Sequence, residues 1–290
     1  MVTPESSFGD QVSLRDGSLS FRQVDVELPG TGPTIRIVRT FRVATRIGGI
    51  ADTSGNRMGE WELALPRLKT LASAKALGIS RTSPIGWQVE MASDARCTQM
   101  SRPGTIFPVK ADPIEPETWW AGYQLVKDSG EEESVLAHTQ DGSQPSHVAR
   151  TKANWLITCL PSTANGLPGE AFQAVAPDGT RYWLDYLVYK TAPGVGESGS
   201  GHLGRNYASM LVTRIEDRFG NWVNYHYTGG FVDTIDASDG RRLSLANDGS
   251  NIISITVASA SGNRVWQYRY ESGALTSAVL PDGSSWKFSQ

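Results

Sequence analysis

Apolar and polar residues alternate with a period of two along most of this chain, and few windows of a dozen residues pass without Gly or Pro. A helix needs an apolar stripe every three to four residues, so the pattern predicts strands and tight turns. Ser18 to Glu27 alternates, with Leu19 and Phe21 on one face before Val24 and Val26 take the opposite parity. That shift predicts a bulge at Arg22–Gln23. Pro29-Gly30-Thr31-Gly32-Pro33 forces a turn, and Thr34 to Phe41 alternates again, so the two runs form a hairpin. Glu60 to Leu65 predicts a third strand, stopped by Pro66. Arg67 to Leu77, with Leu68, Leu71 and Leu77 on one stripe, is the one helix candidate.

From Ser80 to Pro168 eight prolines break the pattern into short β segments separated by surface insertions. Glu131-Glu132-Glu133 beside Asp128 and Gly130 is most simply a solvated loop. Trp119-Trp120-Ala121-Gly122-Tyr123 is the most aromatic pentad of the chain, and neighbouring tryptophans on a strand point to opposite faces, one of them outward.

The last 120 residues carry the strongest signal. Gly220, Gly240, Gly262 and Gly283 are separated by 20, 22 and 21 residues, and a second set of turns falls between them at Gly230, Gly249 and Gly273. Asp-Gly and related pairs tolerate the positive φ of two-residue hairpin turns, so each unit reads as strand, turn, strand, turn. Pro177-Asp178-Gly179-Thr180 is an upstream echo. A hairpin cannot hide its apolar face alone, which makes neighbouring units interdependent. The array also reaches Gln290 directly after a strand, and this uncapped edge suggests the front part of something longer. The expected organisation is an N-terminal β region over 1–78, an irregular β region with insertions over 79–168, and a hairpin array over 169–290. The fold class is all-β, with successive antiparallel hairpins in a curved, coiled sheet.

Composition narrows the chemistry. The 30 glycines, 15 prolines and 9 tryptophans fit short strands and tight turns. A formal net charge of −3 gives no electrostatic footprint for nucleic acid or anionic lipid. No apolar run reaches the length of a membrane span, and Met1 to Asp10 has neither the basic start nor the apolar stretch of a Sec signal. Cys97 and Cys159 have no zinc-type spacing; they read either as two small buried thiols or, in an oxidising compartment, as a disulfide. Gly199 to Gly204 satisfies GxGxxG literally, but Ala208 to Glu216 after it reads as a strand where a dinucleotide site needs a helix. None of the four histidines, His138, His147, His202 and His226, sits in a catalytic motif, and most Asp residues precede Gly, where turn formation accounts for them. No metal site, cofactor or catalytic residue is expected.

Tyr270-Glu271-Ser272-Gly273-Ala274-Leu275-Thr276-Ser277, followed by Pro281-Asp282-Gly283-Ser284-Ser285-Trp286-Lys287-Phe288, resembles the repeat of the rearrangement-hotspot (Rhs) or tyrosine-aspartate (YD) repeat family. Asp217-Arg218-Phe219-Gly220-Asn221 and Asp236 to Arg241 are similar to the same consensus. Asp16 to Phe21, Val26 to Gly30, Val38 to Phe41 and Gly59 to Leu63 resemble the front of such proteins, in the same order. The resemblance covers 10–66 and 170–290. It implies a ribbon of hairpins coiled into a hollow shell, which in bacterial members encloses or presents a C-terminal toxin. The implied partners are the rest of the repeat array, that toxin, and carbohydrate or a secretion component. The implied location is secreted or cell-surface, reached without a Sec signal on this chain, with a cytoplasmic stage before export. Self-cleavage machinery and toxin would lie beyond Gln290.

Three functions compete. The first is a non-catalytic segment of such a shell. The second is a carbohydrate- or protein-binding surface module, with exposed Trp119, Trp120 or Tyr123 stacking on a sugar. The third is a β-rich glycoside hydrolase, whose paired carboxylates only a fold can bring together.

Overall fold

A computed structural model describes residues 10–12, 19–42, 56–73, 95–106, 112–137, 147–195, 203–260 and 262–288. The chain is nearly all β and antiparallel. It divides into two units. One unit takes 1–65, 128–130 and 219–290, and the other takes 66–127 and 131–218. Among the described residues no helix is long and apolar enough to cross a membrane.

The first unit begins with a five-stranded sheet. Its strands are β1 (Asp10–Val12), β2 (Leu19–Leu28), β3 (Ile35–Arg42), β4 (Arg57–Met58) and β5 (Trp61–Leu63), in the order β1-β2-β3-β5-β4. The β2–β3 hairpin turns at the Pro/Gly-rich segment as expected. The bulge, however, lies between Val24 and Val26 and not at Arg22–Gln23. Asp25 is the extra residue there, and its carboxylate is turned onto Arg39. Charge pairing thus sets the place of the irregularity, which apolar parity alone locates two to three residues early.

The second unit is a closed barrel of eight strands. They are β6 (Arg67–Ser73), β7 (Tyr123–Val126), β8 (Glu132–Ala137), β9 (Ala149–Thr151), β10 (Leu156–Leu160), β11 (Ala171–Val175), β12 (Arg181–Val195) and β13 (Leu203–Glu216). Each pairs with the next, and β13 returns to β6, so no edge is left open. The expected helix over Arg67–Leu77 is therefore a strand as far as Ser73, and 74–77 lie outside the described residues. Leu68 and Leu71 sit three apart, which mimics a helical stripe. In β6 they face opposite sides, Leu68 into the barrel and Leu71 onto the Trp119 cluster, and ladders on both edges outweigh local propensity. The acidic run is also not a free loop. Glu132 opens β8 and pairs with Lys69, and both Glu131 and Glu133 meet Lys127.

Cross-strand partners share a face, so the register gives the barrel interior. Leu68, Leu125, Ile157, Phe172, Leu187 and Met210 fill its middle, and each is nearly inaccessible. It is a packed core and not a pore. One end is stopped by the Lys127–Glu133 pair, with the Lys127 ammonium 5.8 Å from the Trp155 ring and Trp155 packed on Tyr182 at 5.0 Å. Burial alone would raise the Glu133 carboxyl and lower the Lys127 ammonium. The Lys127 and Thr151 hydrogen bonds overturn this for Glu133, as Glu133 and Glu131 do for Lys127. Glu133 ends below its ordinary value and Lys127 above it.

The pH dependence follows from these directions. Glu133 contributes stability above its unfolded pKa of 4.5, and that contribution is lost as pH falls through the depressed folded value. Lys127 contributes fully below 10.5 and loses it as pH rises through its elevated value. Glu133→Gln is expected to flatten the acid limb of barrel unfolding measured by urea titration across pH. An unchanged limb would show that the pair does not stopper the barrel.

The chain then re-enters the first unit as a meander of seven strands: β14 (Trp222–Thr228), β15 (Phe231–Ala237), β16 (Arg242–Asn247), β17 (Ile252–Val257), β18 (Arg264–Glu271), β19 (Ala274–Val279) and β20 (Ser285–Lys287). Every neighbouring pair is antiparallel, with a register shift at His226/Tyr227, Ala246/Asn247 and Arg269/Tyr270. The seven turn glycines, Gly220, Gly230, Gly240, Gly249, Gly262, Gly273 and Gly283, all stand at positive φ between 83° and 114°. The row Tyr225–Ile235–Leu243–Val257 and the row Leu245–Ile255–Trp266 line one buried face. His226 and Arg242 are on the exposed one.

Candidate functional site

In the first unit the N-terminal sheet is fastened to the array at the hairpin turns. Residues 56–60 meet every second turn, those at Gly230, Asn251 and Leu275. Asn56 donates to the Gly230 carbonyl at 3.1 Å and accepts from the Val232 amide at 2.8 Å. The Gly59 amide donates to Asn251 Oδ1 at 2.9 Å, and Glu60 Oε2 accepts from the Leu275 amide at 2.7 Å. These contacts step along the array one hairpin at a time, so the repeat pitch becomes a row of evenly placed backbone groups. The opposite ends of the hairpins hold the β2–β3 turn. Asp239 Oδ2 accepts from the Thr31 amide at 3.0 Å, and Arg241 donates to the carbonyls of Leu28 and Pro33. The Arg241 hydrogen bond, reinforced by the Thr31 amide, holds the Asp239 carboxyl at about 2.

Two glycines separate turn geometry from close approach. At Gly240 φ is +86° and nothing would meet an added Cβ within 4 Å. At Gly59 φ is +71° and a Cβ would stand 2.6 Å from the Leu275 nitrogen, where no backbone can give way. Gly240→Ala is expected to cost about 1 kcal/mol from its dihedral alone. Gly59→Ala should cost clearly more in the same denaturation experiment; equal costs would contradict the contact.

Beneath these fasteners lies a buried polar group. Asp25 and Arg39 form a two-point ion pair at 2.5 and 3.0 Å, with side-chain exposures of 7% and 1%. The Tyr268 hydroxyl from β18 donates to the same carboxylate at 2.6 Å. The Arg39 guanidinium carbon lies 5.0 Å from the Trp61 ring and 5.6 Å from the rings of Tyr268 and Phe288. Burial, then the Asp25 charge and hydrogen bond, push the Tyr268 phenol well above its ordinary value. With Arg and Tyr both donating to it, this carboxylate joins strands of two sheets.

In the second unit the antiparallel meander places Ser73, Tyr123, Ala137, Leu160, Ala171 and Leu203 at one end of the barrel. This is the end opposite Lys127 and Glu133. It carries the aromatic pentad. Trp119 closes a single helical turn, α1 (Pro116–Trp119), so the strand expected here begins only at Tyr123. Trp119 is 1% exposed and packs with Ile106 and Leu203; Tyr123 is 7% exposed, and its hydroxyl donates to the Ser101 carbonyl at 2.8 Å. Trp120 is half-buried, stands edge-on to Tyr123 at 5.2 Å, and donates from Nε1 to Thr70 Oγ1 at 2.8 Å. The outward aromatic face expected of this pentad is therefore not offered by Trp119 or Tyr123. Burial raises the Tyr123 phenol to about 12.

The two cysteines pair. Cys97, fully buried, is bonded to Cys159 near the end of β10, with Cα atoms 5.5 Å apart. Glu170 accepts the amides of Cys97 and Thr98, each at 2.8 Å, and the Thr98 hydroxyl at 3.0 Å. Arg96 donates to the carbonyls of Glu170 and Pro168 at 2.8 and 2.5 Å.

Of the remaining motifs, Gly199 to His202 lies outside the described residues, as does His138. His226 is exposed and pairs across the strands with Asp236. Among the described residues no group of three His, Cys, Asp or Glu is placed to hold a metal ion. Sequence reading missed Asp25, Arg39, Asn56, Glu60, Arg96 and Glu170. Only Asp25 left a trace, the parity break in β2. The chain matches no protein-family model and no curated protein sequence.

Proposed function

We propose that this chain is a non-catalytic wall segment of an Rhs/YD-type β shell that encloses or presents a C-terminal toxin or effector. The observation that carries the reading is the antiparallel meander β14–β20. Its turns recur on a pitch of about 21 residues, and residues 56–60 engage the three that lie at one end of the hairpins. Such an arrangement spends its polar groups on backbone: Asn56, Glu60, Asp239 and Arg241 all satisfy turn amides or carbonyls. A repeat whose turns are individually held is suited to a wall that keeps its curvature as units are added. In this reading the partners are further hairpins of the same array and the enclosed domain, and the shell acts after export.

The test is limited proteolysis of the full-length protein. The sequence downstream of the array is expected to resist a protease that digests the same sequence expressed alone. Equal digestion in both would overturn the shell reading.

A further inference from the structure

We propose that residues 95–101 form a strap across one mouth of the barrel, held by two independent fasteners. One is the Cys97–Cys159 disulfide, which acts as a redox latch, and the other is the Glu170 carboxylate. The mouth opens only when both are lost.

The placement follows from the strand order. Cys159 is the last residue but one of β10, Glu170 precedes β11, Tyr123 begins β7, and all three sit at the same end of the barrel. In the closed sequence of eight strands, β7 stands three places from β10 and four from β11. The strap is tied to the β10–β11 side through Cys97 and Thr98 and to the β7 side through the Ser101 carbonyl, which accepts the Tyr123 hydroxyl. It therefore crosses from one wall to the facing wall. Between these ties Arg96 reaches the loop before β11, and its charge is felt by Tyr189 of β12. Cys97, Arg96 and Met100 are all buried, so the strap seals the mouth rather than lying on its rim. Below it is the Cys159–Phe172 cross-strand pair.

The two fasteners differ in chemistry. The disulfide is severed by a dithiol reductant. One of its thiolates attacks Sγ of Cys159, the half-buried partner, while Sγ of Cys97 leaves as a thiolate and takes a proton. The second thiol then displaces Cys159 as a free thiol, and the reductant becomes a disulfide; two electrons pass to the protein. The Glu170 contacts are untouched by this exchange. In an oxidising compartment both fasteners act, whereas in a reducing one the strap rests on Glu170 and its neighbours. With only two cysteines in the chain, the latch has one pairing and no competing isomer.

Amide hydrogen exchange on the whole chain reads the two fasteners apart. Four samples are compared: wild type oxidised, wild type with dithiothreitol, Glu170→Ala oxidised, and Glu170→Ala with dithiothreitol. The Gln99 and Met100 amides, which donate within the strap to the Ala95 and Cys97 carbonyls and not to Glu170, report the strap, and those of Ile157 and Met210 report the barrel. Strap and barrel should exchange within about tenfold of each other in the first three samples. In the fourth the strap should run about a hundredfold or more ahead of the barrel, the sign of local opening. Two results would overturn the proposal: strap and barrel rates staying together in all four samples, or the full gap appearing after reduction alone. Glu170→Gln, which keeps one acceptor oxygen, serves the same arm if the alanine variant does not fold, and Cys97→Ser with Cys159→Ser replaces the reductant.

Discussion

Replacing Asp25 with alanine is expected to destabilise the first unit by about 3–5 kcal/mol, the usual cost of breaking a buried ion pair from one side. Arg39 would be left with its charge among Trp61, Tyr268 and Phe288, whose rings attract a cation but cannot accept its N–H groups as a carboxylate does. The Tyr268 hydroxyl would lose its acceptor in the same step. Because these groups come from β2, β3, β5 and β18, the loss falls on the joint between the N-terminal sheet and the array. Urea unfolding of Asp25→Ala should show a lower midpoint with an unchanged slope. The combined replacement Asp25→Leu with Arg39→Met removes both charges and is expected to recover much of the loss, since desolvation then no longer opposes folding. A single-mutant cost below about 1 kcal/mol would place the pair in the class of exposed salt bridges and contradict its burial.

Loss of the disulfide is the second large effect. The cross-link closes a loop of 62 residues, and the chain-entropy relation then gives about 4 kcal/mol of stability at 25 °C. Cys97→Ser combined with Cys159→Ser should lower the unfolding free energy of the barrel by about that amount, and dithiothreitol should do the same to the wild type. The barrel is expected to remain folded in both cases, because its eight-strand closure and filled interior do not depend on the strap. Identical stability with and without reductant would contradict the cross-link.

The array was the most legible part of the chain. Seven glycines on a regular pitch, each next to a turn-forming residue, fix where strands must end, and alternation between them assigns the buried face. These are local rules, and the strands follow them to within a residue or two. The barrel was not legible, for a physical reason. Its closure depends on β13 pairing with both β12 and β6, and β6 lies more than 130 residues away in sequence, a contact that leaves no periodic mark. A strand paired on both edges and buried on both faces also lacks clean alternation, which is why β6 looked helical.

Site residues divide in the same way. The turn glycines show themselves through backbone geometry. Asp25 and Arg39 are 14 positions apart and met Tyr268 only on folding. Trp119 and Tyr123 drew attention for their aromatic character, but that character serves packing at the barrel mouth. The even cysteine count left pairing open until the fold placed the two Cα atoms 5.5 Å apart.

The most direct test of the account is an electron-microscopy structure of the full-length protein purified from the cells that express it. The shell reading predicts a closed wall of hairpins in which residues 219–288 continue into further antiparallel strands, with separate density for a domain held inside. A solid particle in which β20 ends the sheet and nothing is enclosed would contradict it.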